Sequence, residues 1–538
     1  MRLNDKEEPL VVQYMDFNGN TINYEYDLDI GEVAKRTDGN GLTTTYEYEH
    51  KFAKLIKKTD PMGRVWTREI DGKGNVLSVT DPLGNKTTYT YDSRGNMLTK
   101  TDPNGNTTHY EYDKYGNVIK VRDPLGNITQ YTYDIMGNMK SKTDANGNTT
   151  VYEYDNMQRV VRITNPDGTY KTFEYDLAGN KIKEVDENGN AKFFEYDWRG
   201  QVTKVTDAYG SIETKYSPCG RKIEEIDKKG NVTRYEYDIL GRLVKTIDAL
   251  GNIKENKYEG NCGNSYIQGG KDLPTTIINP RGYETKKEYD KGYRLIKTID
   301  ALGGIVRNQY DDAGNLRFVT NQIGLTTETQ YDAANRRIKV IDPMGHETQT
   351  IYDANGNVIE KIDANGNSTR YVFDERNKLI EVIDALSNSA YYTYDAVGKR
   401  IEVKDARGNI TRYYYDSRNR LIRAVNALGN VSEFEYDGVG NKIKYVDENG
   451  DITRYEYDEL NRLTKVKFPD GKERTYEYDL NSNIIRESDR RGDIEYSYDA
   501  INRVIGVKDT TGKAIHYRYN ENSFRTRMEV EGLSLIHI

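Results

Sequence analysis

The sequence predicts an all-β fold in which tandem hairpins of about 21 residues form one long antiparallel sheet. Three observations carry this prediction. An aromatic–aspartate pair returns at a fixed spacing, turn motifs rich in Gly, Asn and Pro separate the copies, and the segments between the turns are rich in β-branched and aromatic residues. Because no segment follows a 3.6-residue period, we expect almost no helix.

The recurring marker is a tyrosine, usually followed by aspartate, at the end of an alternating segment. It returns every 21 residues from Tyr91 to Tyr196 and, after a contraction at Tyr216, from Tyr289 to Tyr478, with Phe373 replacing one tyrosine. We expect the tyrosines of successive repeats to align as a ladder of aromatic side chains. The predicted ladder consists of Tyr91, Tyr112, Tyr133, Tyr154, Tyr175, Tyr196, Tyr237, Tyr310, Tyr331, Tyr352, Tyr394, Tyr415, Tyr436, Tyr457 and Tyr478.

Each repeat contains two turn motifs, and each repeat is therefore two short strands and two turns. The first motif, D-P-x-G-N, has the preferences of a type I turn followed by a glycine with positive φ. The second, Y-D-x-x-G-N/R, follows the marker tyrosine and has the same turn preferences without proline. The predicted structural turn residues are Asp102, Pro103, Gly105, Asp123, Pro124, Gly126, Asp342, Pro343 and Gly345.

The composition favours a thin wall over a solid body. Hydrophobic residues make up 36% of the chain and the mean hydropathy is −0.88, yet there are 46 Tyr. Regularly spaced aromatics argue against disorder, and tyrosine can bury its ring while its hydroxyl finds a partner. Since open sheets rarely exceed about ten strands without curling, nearly 50 strands should spiral into a hollow shell or part of one.

The repeat period divides the chain into five segments. Ten extra residues interrupt the period between Tyr258 and Tyr289. They form either a loop inserted at a turn, which the repeat tolerates, or a binding loop. The last residues leave the pattern, as expected at a truncation. The predicted segments are an N-terminal lead-in (1–13), the first half of the array (14–258), an inserted loop (259–274), the second half (275–520) and an irregular tail (521–538).

The charge pattern argues against several partners. The net charge is −8, with acidic and basic residues mixed at short range, so nucleic acid is not an expected partner. No apolar stretch is long enough to span a bilayer, and the N-terminus has no apolar signal-peptide segment, so we expect any export signal to lie outside this chain. Cys219 and Cys262 are two repeats apart, roughly 19 Å at four strand spacings, which favours free thiols.

No residue pattern indicates catalysis, a cofactor or a metal. The five histidines are scattered, and no nucleophile–base set is spaced for catalysis. The segments 144–148 and 363–367 (D-A-N-G-N) have alternating oxygen ligands, but their glycine is fourth and the sister turns replace Asn with Leu or Met, so they are read as structural turns. Tyrosines beside Asp, Asn and Arg could bind sugars, but packing within the wall is the preferred role.

The pattern D-P-x-G-N…T-x-Y-x-Y-D-x-x-G-N/R resembles the RHS/YD-repeat family over about residues 14–520. This family includes bacterial polymorphic toxins, the BC components of Tc toxins and the teneurins. The resemblance implies a hollow β-shell, which in bacterial members encloses a C-terminal toxin domain and in teneurins serves cell-surface adhesion. Bacterial members also carry a self-cleaving core segment after the repeats, and no such segment is recognisable after Tyr519.

Two functions follow from this resemblance. The first is a non-enzymatic shell segment that encapsulates a toxin or effector polypeptide of the same longer chain, for toxin delivery in bacterial competition or host interaction. The expected location is secreted or at the bacterial cell surface. The alternative is a cell-surface adhesin that binds glycans or a partner protein through the outside of the wall or the 259–274 loop.

Overall fold

The protein consists of β-strands throughout its described part. The computed structural model describes residues 2–3, 9–15, 21–258, 273–531 and 536–537. Every regular element in these residues is a strand, which confirms the predicted all-β class, and none of these residues belongs to a helix that could cross a membrane. Almost all of the predicted 259–274 loop, with Cys262, lies outside the described residues.

The strands are numbered in chain order. The first nine are β1 (Arg2–Leu3), β2 (Pro9–Leu10), β3 (Gln13–Met15), β4 (Thr21–Asp27), β5 (Glu32–Thr37), β6 (Thr43–Glu49), β7 (Lys54–Thr59), β8 (Val65–Ile70) and β9 (Val76–Thr80). The next are β10 (Lys86–Tyr91), β11 (Met97–Thr101), β12 (Thr107–Tyr112), β13 (Val118–Arg122), β14 (Ile128–Tyr133), β15 (Met139–Thr143), β16 (Thr149–Tyr154), β17 (Val160–Thr164), β18 (Tyr170–Tyr175), β19 (Lys181–Val185), β20 (Ala191–Tyr196), β21 (Val202–Asp207), β22 (Gly210–Tyr216), β23 (Lys222–Ile226), β24 (Val232–Tyr237), β25 (Leu243–Ile247) and β26 (Ile253–Lys257).

The second half of the chain continues in the same way. Its first strands are β27 (Thr276–Ile278), β28 (Glu284–Tyr289), β29 (Leu295–Ile299), β30 (Ile305–Tyr310), β31 (Leu316–Thr320), β32 (Thr326–Tyr331), β33 (Arg337–Ile341), β34 (Glu347–Tyr352), β35 (Val358–Ile362), β36 (Ser368–Phe373), β37 (Leu379–Ile383), β38 (Ser389–Tyr394) and β39 (Arg400–Lys404). The last are β40 (Ile410–Tyr415), β41 (Leu421–Val425), β42 (Val431–Tyr436), β43 (Lys442–Val446), β44 (Ile452–Tyr457), β45 (Leu463–Lys467), β46 (Glu473–Tyr478), β47 (Ile484–Asp489), β48 (Gly492–Tyr498), β49 (Val504–Lys508), β50 (Ala514–Tyr519), β51 (Arg525–Val530) and β52 (Ile536–His537).

A typical repeat pairs a six-residue strand with a five-residue strand, as in β12 and β13. Their Thr, Val, Ile and Tyr residues suit a pleated surface. Glu111 pairs with Lys120 but Tyr112 pairs with Val118, so Ile119 is an extra residue that forms a β-bulge. The same shift before the marker residue recurs along the array, as in β14–β15 and β44–β45. Because each bulge bends its strand and increases the local twist, the repeated bulges favour coiling of the ribbon.

The strands from β3 to β52 form one sheet in which each strand pairs with its neighbours in sequence, always antiparallel. No pairing among the described residues joins β3 to β52, so the sheet is open. The short pair β1–β2 stands apart from it. The structure differs from the predicted irregular tail (521–538), because β51 lies beyond residue 520 and extends the sheet.

The ribbon coils so that residues about 250 positions apart come into contact. Hydrogen bonds join residues separated by 249 to 254 positions in sequence. One winding is therefore about 12 repeats, or about 24 strands, which at ~4.8 Å per strand gives a circumference of roughly 115 Å and a diameter of roughly 37 Å. This winding confirms the predicted spiral wall.

The wall is a single layer without a conventional core. Among the described residues, the buried apolar side chains are Tyr14, Ile22 and Val466, and the most deeply buried side chain is Ser78. A sheet with both faces partly exposed gains little from apolar burial. Backbone pairing and regularly repeated polar contacts must therefore contribute much of its stability.

Candidate functional site

The turns are built around an aspartate that accepts hydrogen bonds from its own turn. In the turn at 102–106, the Gly105 amide donates to the Asp102 carbonyl at 2.9 Å, and the Asp102 carboxylate accepts the amides of Asn104 and Asn106 at 3.0 and 2.9 Å. Gly105 has a φ of 91°, which a side chain would disfavour. This geometry supports the proposed structural role of Asp102, Pro103 and Gly105.

The other two predicted turns have the same geometry. The amide of the glycine donates to the carbonyl of the aspartate at 3.0 Å in both, and each glycine has a positive φ. Each aspartate also accepts the amide of the fifth turn residue, and each proline directly follows its aspartate, before the positive-φ glycine. These residues are Asp123, Pro124, Gly126, Asp342, Pro343 and Gly345.

The marker tyrosines connect neighbouring repeats through their hydroxyl groups. The Tyr112 hydroxyl donates to the Met97 carbonyl at 2.8 Å, and Tyr133 donates to Val118 at 2.9 Å, each 15 residues upstream. Every tyrosine of the predicted ladder makes the equivalent bond, at 2.7 to 3.0 Å. The close ring pairs in the described residues, Tyr24–Tyr26 and Phe434–Tyr445, lie outside this ladder. The observed ladder is thus one of hydroxyl–carbonyl bonds, not of stacked rings.

Several repeats add an arginine at the fifth position of the turn that follows the tyrosine. The Arg159 guanidinium bonds the Asp155 carboxylate at 2.7 Å, donates to the Asp176 carbonyl at 2.8 Å and lies 4.7 Å from the centroid of the Tyr175 ring. The bond from Arg159 is the main cause that lowers the pKa of Asp155. One arginine therefore joins two successive repeats through an ion pair, a hydrogen bond and a cation–π contact.

The two windings meet along their turns, in a contact that we call the seam. We call the turns after the five-residue strands DPxGN turns, with or without proline, and those after the marker tyrosine YD turns. The seam joins the DPxGN turns between residues 38 and 283 to the YD turns between residues 290 and 524. Within the described ranges no strand edge takes part in it, so each winding stacks on the next through side chains and turn backbone.

Reciprocal amide–carboxylate bonds hold the seam at several places. The Asn104 amide donates to the Asp353 carboxylate at 2.9 Å, and the Asn355 amide donates back to Asp102 at 2.7 Å. A second reciprocal pair joins Lys229 to Asp479 at 3.0 Å and Asn481 to Asp227 at 2.6 Å, and single bonds join Asn146 to Asp395 and Asn188 to Asp437.

Between these points, arginines of the second winding contact the first. Arg418 donates to Thr169 at 3.1 Å, Arg420 lies 3.1 Å from the Asp167 carboxylate, and Arg462 lies 4.5 Å from the centroid of the Tyr209 ring. Packing is tight enough that a Cβ on Gly438 would lie 2.6 Å from the backbone oxygen of Glu187. The seam is therefore a continuous interface of polar contacts and close backbone approach.

Two of the seam carboxylates, those of Asp353 and Asp437, are held ionised. Burial raises the pKa of Asp353, but hydrogen bonds from Asn357 and Asn104 outweigh it, so the net pKa is lowered. Burial also opposes ionisation of Asp437, and the bonds from Asn188 and Asn441 again lower its pKa overall. The seam thus keeps the charged acceptors that its amide donors require.

The seam donors Asn104, Asn146 and Asn188 were not predicted from the sequence. A signal was present, because asparagine recurs at the third turn position every 42 residues, at Asn104, Asn146 and Asn188, with Leu125 and Asp167 in the turns between them. The turn at 144–148, weighed above as a calcium loop, contributes Asn146 to the seam. The Asp144 carboxylate of that turn accepts the amides of Asn146 and Asn148.

Two equivalent cavities open beside the seam. One, of about 430 Å³, is lined by residues that include Asn104, Asp353 and Tyr371. The other, of about 600 Å³, lies four repeats further on and is lined by residues that include Asn188 and Tyr455. Both combine amide, carboxylate and aromatic groups, so their linings can offer hydrogen bonds and a ring face to a polar ligand.

One group of described residues has the ligand types of a metal site. The His50 imidazole lies 2.8 Å from the Asp27 carboxylate and 3.6 Å from that of Asp29. His50 and Asp29 are exposed, and Asp27 already accepts the Asp29 amide within its turn. Elsewhere, Cys219 is an exposed free thiol in a YD turn.

The fold and the seam define a shell-forming protein, a spiral wall built of tandem hairpins. The sequence model of the Teneurin YD-shell family matches residues 90–246 and 271–451, together more than half of the chain. The RHS repeat model matches residues 71–107, 436–473 and 457–494. The chain belongs to the YD-shell family, as its motifs indicated, and its role is that of a structural shell.

Solved structures share the fold at low sequence identity. The crystal structure of TcdB2-TccC3 is 17% identical, with a TM-score of 0.56 over 95% of this chain and 33% of that chain. The crystal structure of TcdB2-TccC3-Cdc42 is 16% identical, with a TM-score of 0.51 over 95% of this chain and 35% of that chain. This chain therefore spans about a third of the length of the chains that it matches. A search of curated protein sequences found no match.

Proposed function

We propose that this chain is part of a protective shell that encloses a toxin or effector polypeptide belonging to the same longer protein. The observation that carries the proposal is the seam, which joins two windings of an open sheet into a continuous wall. In this role the protein belongs with the bacterial members of the family and is secreted or held at the cell surface. In this role the chain is not an enzyme, and its mechanism is containment.

The dimensions of the wall are compatible with containment. A ring roughly 37 Å across loses about 5 Å to side chains on each side, half the ~10 Å spacing of packed sheets, so its interior is roughly 27 Å wide. An α-helix with its side chains is about 10–12 Å wide. Several polypeptide segments can therefore lie side by side within such a wall.

Protease protection tests the proposal. The chain is extended at its C-terminus by an unrelated reporter polypeptide that carries one protease site, and cleavage is followed with time. We expect slow cleavage in this protein, and faster cleavage when Asn104, Asn146 and Asn188 are replaced by alanine to weaken the seam. The matched control replaces Asn365 and Asn449, which occupy the same turn position outside the seam, and should leave protection unchanged. Equally fast cleavage in all three proteins would reject containment.

The two cavities beside the seam support a second candidate, binding of a glycan or partner at the wall. Aromatic rings beside amides and carboxylates are the groups that bind sugars through stacking and hydrogen bonds. If this function holds, the chain binds specific members of a glycan array, and Tyr371→Ala together with Tyr455→Ala reduces that binding. Absence of binding by the unaltered chain would reject glycan recognition.

A further inference from the structure

The two faces of the wall carry different charges. Successive side chains of a strand point to opposite faces, and residues paired directly across two strands share a face. We call the face that carries the marker tyrosines, such as Tyr112, and the residue two positions before each of them, such as Tyr110, the tyrosine face. Glu111 lies on the opposite face, where its carboxylate is 2.9 Å from the Lys120 ammonium. Equivalent ion pairs recur along that face, so its charges neutralise each other. They include Glu25–Lys35, Glu47–Lys57 and Glu174–Lys183.

The tyrosine face, in contrast, carries cations without acids over long stretches. Lys58 lies opposite Tyr46 in β6 and opposite Trp66 in β8. Arg68 lies two residues beyond Trp66 on the same face, opposite Val79. From β4 to β18, all of which the structure describes, this face has no Asp or Glu, and none of its cations forms an ion pair with a described carboxylate. These cations are Arg36, Lys58, Arg68, Lys100, Lys142 and Lys171.

The second winding repeats this pattern. From β28 to β45, also described throughout, the tyrosine face again has unpaired cations and no Asp or Glu. Between the two stretches, Glu184 and Glu225 lie on the tyrosine face, where they pair with Lys181 and Lys222. Since the chain as a whole has a net charge of −8, the tyrosine face is a positive surface within an acidic protein. Its cations in the second winding are Lys287, Arg337, Lys361, Arg400 and Lys442.

The exposure of equivalent side chains shows which face is concave. Tyr391 and Tyr414 on the opposite face are 44% and 43% exposed, whereas Tyr392 and Tyr413, their neighbours on the tyrosine face, are half-buried. Side chains on the concave side of a curved wall converge and shield one another, while those on the convex side diverge. This difference places the tyrosine face, and with it the unpaired cations, on the interior side of the wall.

We propose that the tyrosine face binds an acidic segment of the enclosed polypeptide, an inference that rests on the proposed containment. Between β5 and β18 its cations are spread over about 13 strand spacings of ~4.8 Å, so neighbouring cations are roughly 12 Å apart. An extended polypeptide rises ~3.3 Å per residue, so an acidic residue at every third or fourth position matches this spacing. A nucleic acid strand carries a charge at every nucleotide, which is a denser series, so a polypeptide is the better match.

The cations come closest together around Trp66. Lys58 lies directly across the sheet from Trp66, with its ammonium 4.9 Å from the centroid of the ring, and Arg68 is exposed on the other side. The three side chains line a cavity of about 150 Å³. A carboxylate that enters this cavity can accept hydrogen bonds from both cations, while the ring contacts its aliphatic stem. These residues are therefore the first to alter in a test.

Fluorescence anisotropy of a labelled peptide with Glu at every fourth position tests this binding with the chain itself. We expect the peptide to bind at low salt, its version with Gln in place of Glu not to bind, and the affinity to fall as salt rises. The triple variant Lys58→Gln, Arg68→Gln, Lys100→Gln should weaken binding by about five-fold or more, because three charge contacts are lost. The matched control removes two lysines and one arginine outside the tyrosine face, through Lys54→Gln, Arg122→Gln and Lys140→Gln, and should bind as the unaltered chain does. Circular dichroism verifies that both variants keep the sheet.

Three results of the binding experiment would overturn the proposal. The first is equal binding of the Glu and Gln peptides, and the second is an equal loss of affinity in the test and control variants. The third is tighter binding of a single-stranded oligonucleotide with the same number of charges, which would make nucleic acid the partner of this face.

Reporter polypeptides separate this inference from containment. The chain is extended at its C-terminus by a reporter with one protease site and either Glu or Lys at every fourth position. We expect the Glu reporter to be cleaved more slowly than the Lys reporter, and the triple variant of Lys58, Arg68 and Lys100 to remove that difference. Equal protection of both reporters would overturn the acidic preference and leave containment standing. If neither reporter is protected, containment fails, and binding of the Glu peptide still decides whether the tyrosine face recognises acidic chains.

Discussion

Removal of the Tyr112 hydroxyl tests how the wall is held together. The Tyr112→Phe substitution keeps the ring and deletes the donor that lies 2.8 Å from the Met97 carbonyl. Burial raises the pKa of Tyr112, so the hydroxyl remains protonated and is a donor through the neutral range. A neutral hydrogen bond contributes about 1 kcal/mol net, and no cavity forms because the ring stays. We therefore expect a loss of about 1 kcal/mol in local stability.

Native-state hydrogen exchange is the suitable assay, because long repeat arrays need not unfold in one step. The amides of β11 and β12 should exchange about five-fold faster in Tyr112→Phe, because a loss of about 1 kcal/mol in the free energy of local opening raises the open population by that factor. The matched control is Tyr110→Phe in the same strand, since the Tyr110 hydroxyl makes no hydrogen bond to the described part of the chain. This control should leave the exchange rates nearly unchanged.

The ladder also predicts additivity. The hydroxyls of Tyr91, Tyr112, Tyr133 and Tyr154 lie two strands apart, roughly 9.6 Å, a separation at which effects usually add. Replacement of all four by phenylalanine should cost about 4 kcal/mol over β9 to β16. Equal effects of Tyr110→Phe and Tyr112→Phe would refute the reasoning, because the loss could then not be assigned to the hydroxyl–carbonyl bond.

Three further predictions concern the turns, the seam and the response to acid. A Cβ at Gly105 meets nothing within 4 Å, so Gly105→Ala should lower the free energy of unfolding by about 1–2 kcal/mol through backbone strain alone. Gln158 has a φ of 64°, so Gln158→Gly should relieve the same strain and raise the free energy of unfolding, as measured by urea unfolding. A double-mutant cycle of Asn104→Ala with Asp353→Ala should give a coupling free energy of about 1 kcal/mol. This is less than for a buried hydrogen bond to a charged group, because the pair is partly exposed. A coupling free energy of zero would contradict the bond across the seam. Turn aspartates whose pKa is lowered in the folded state stabilise the fold above pH ~4, and this contribution is lost as the pH falls through the folded-state pKa. Circular dichroism should therefore show acid unfolding between about pH 4 and 2, where the lower limit is set by Asp489, which bonds Arg491 and has a pKa of about 2. A sheet that is unchanged at pH 2 would contradict this prediction.

The hairpin repeat was predictable because its determinants lie close together in sequence. A turn such as 102–106 is closed by its own Asp102, Pro103 and Gly105, and a marker tyrosine such as Tyr112 bonds a carbonyl only 15 residues away. The sequence led us to expect contacts between the rings of these tyrosines, whereas in the structure their hydroxyl groups bond to carbonyls. Sequence spacing cannot distinguish a ring contact from a hydroxyl bond, since both place tyrosines on one face at the same period.

The sequence by itself determined the strands, the turns and the need to coil, because each follows from contacts within one or two repeats. Only the tertiary structure decided how many repeats complete a winding and which residues meet across it. That number depends on small bends and twists added at each β-bulge, and the sum brings Asn104 to Asp353, 249 residues away. The pairing of remote turns arises from this accumulated curvature and is not encoded in any single repeat.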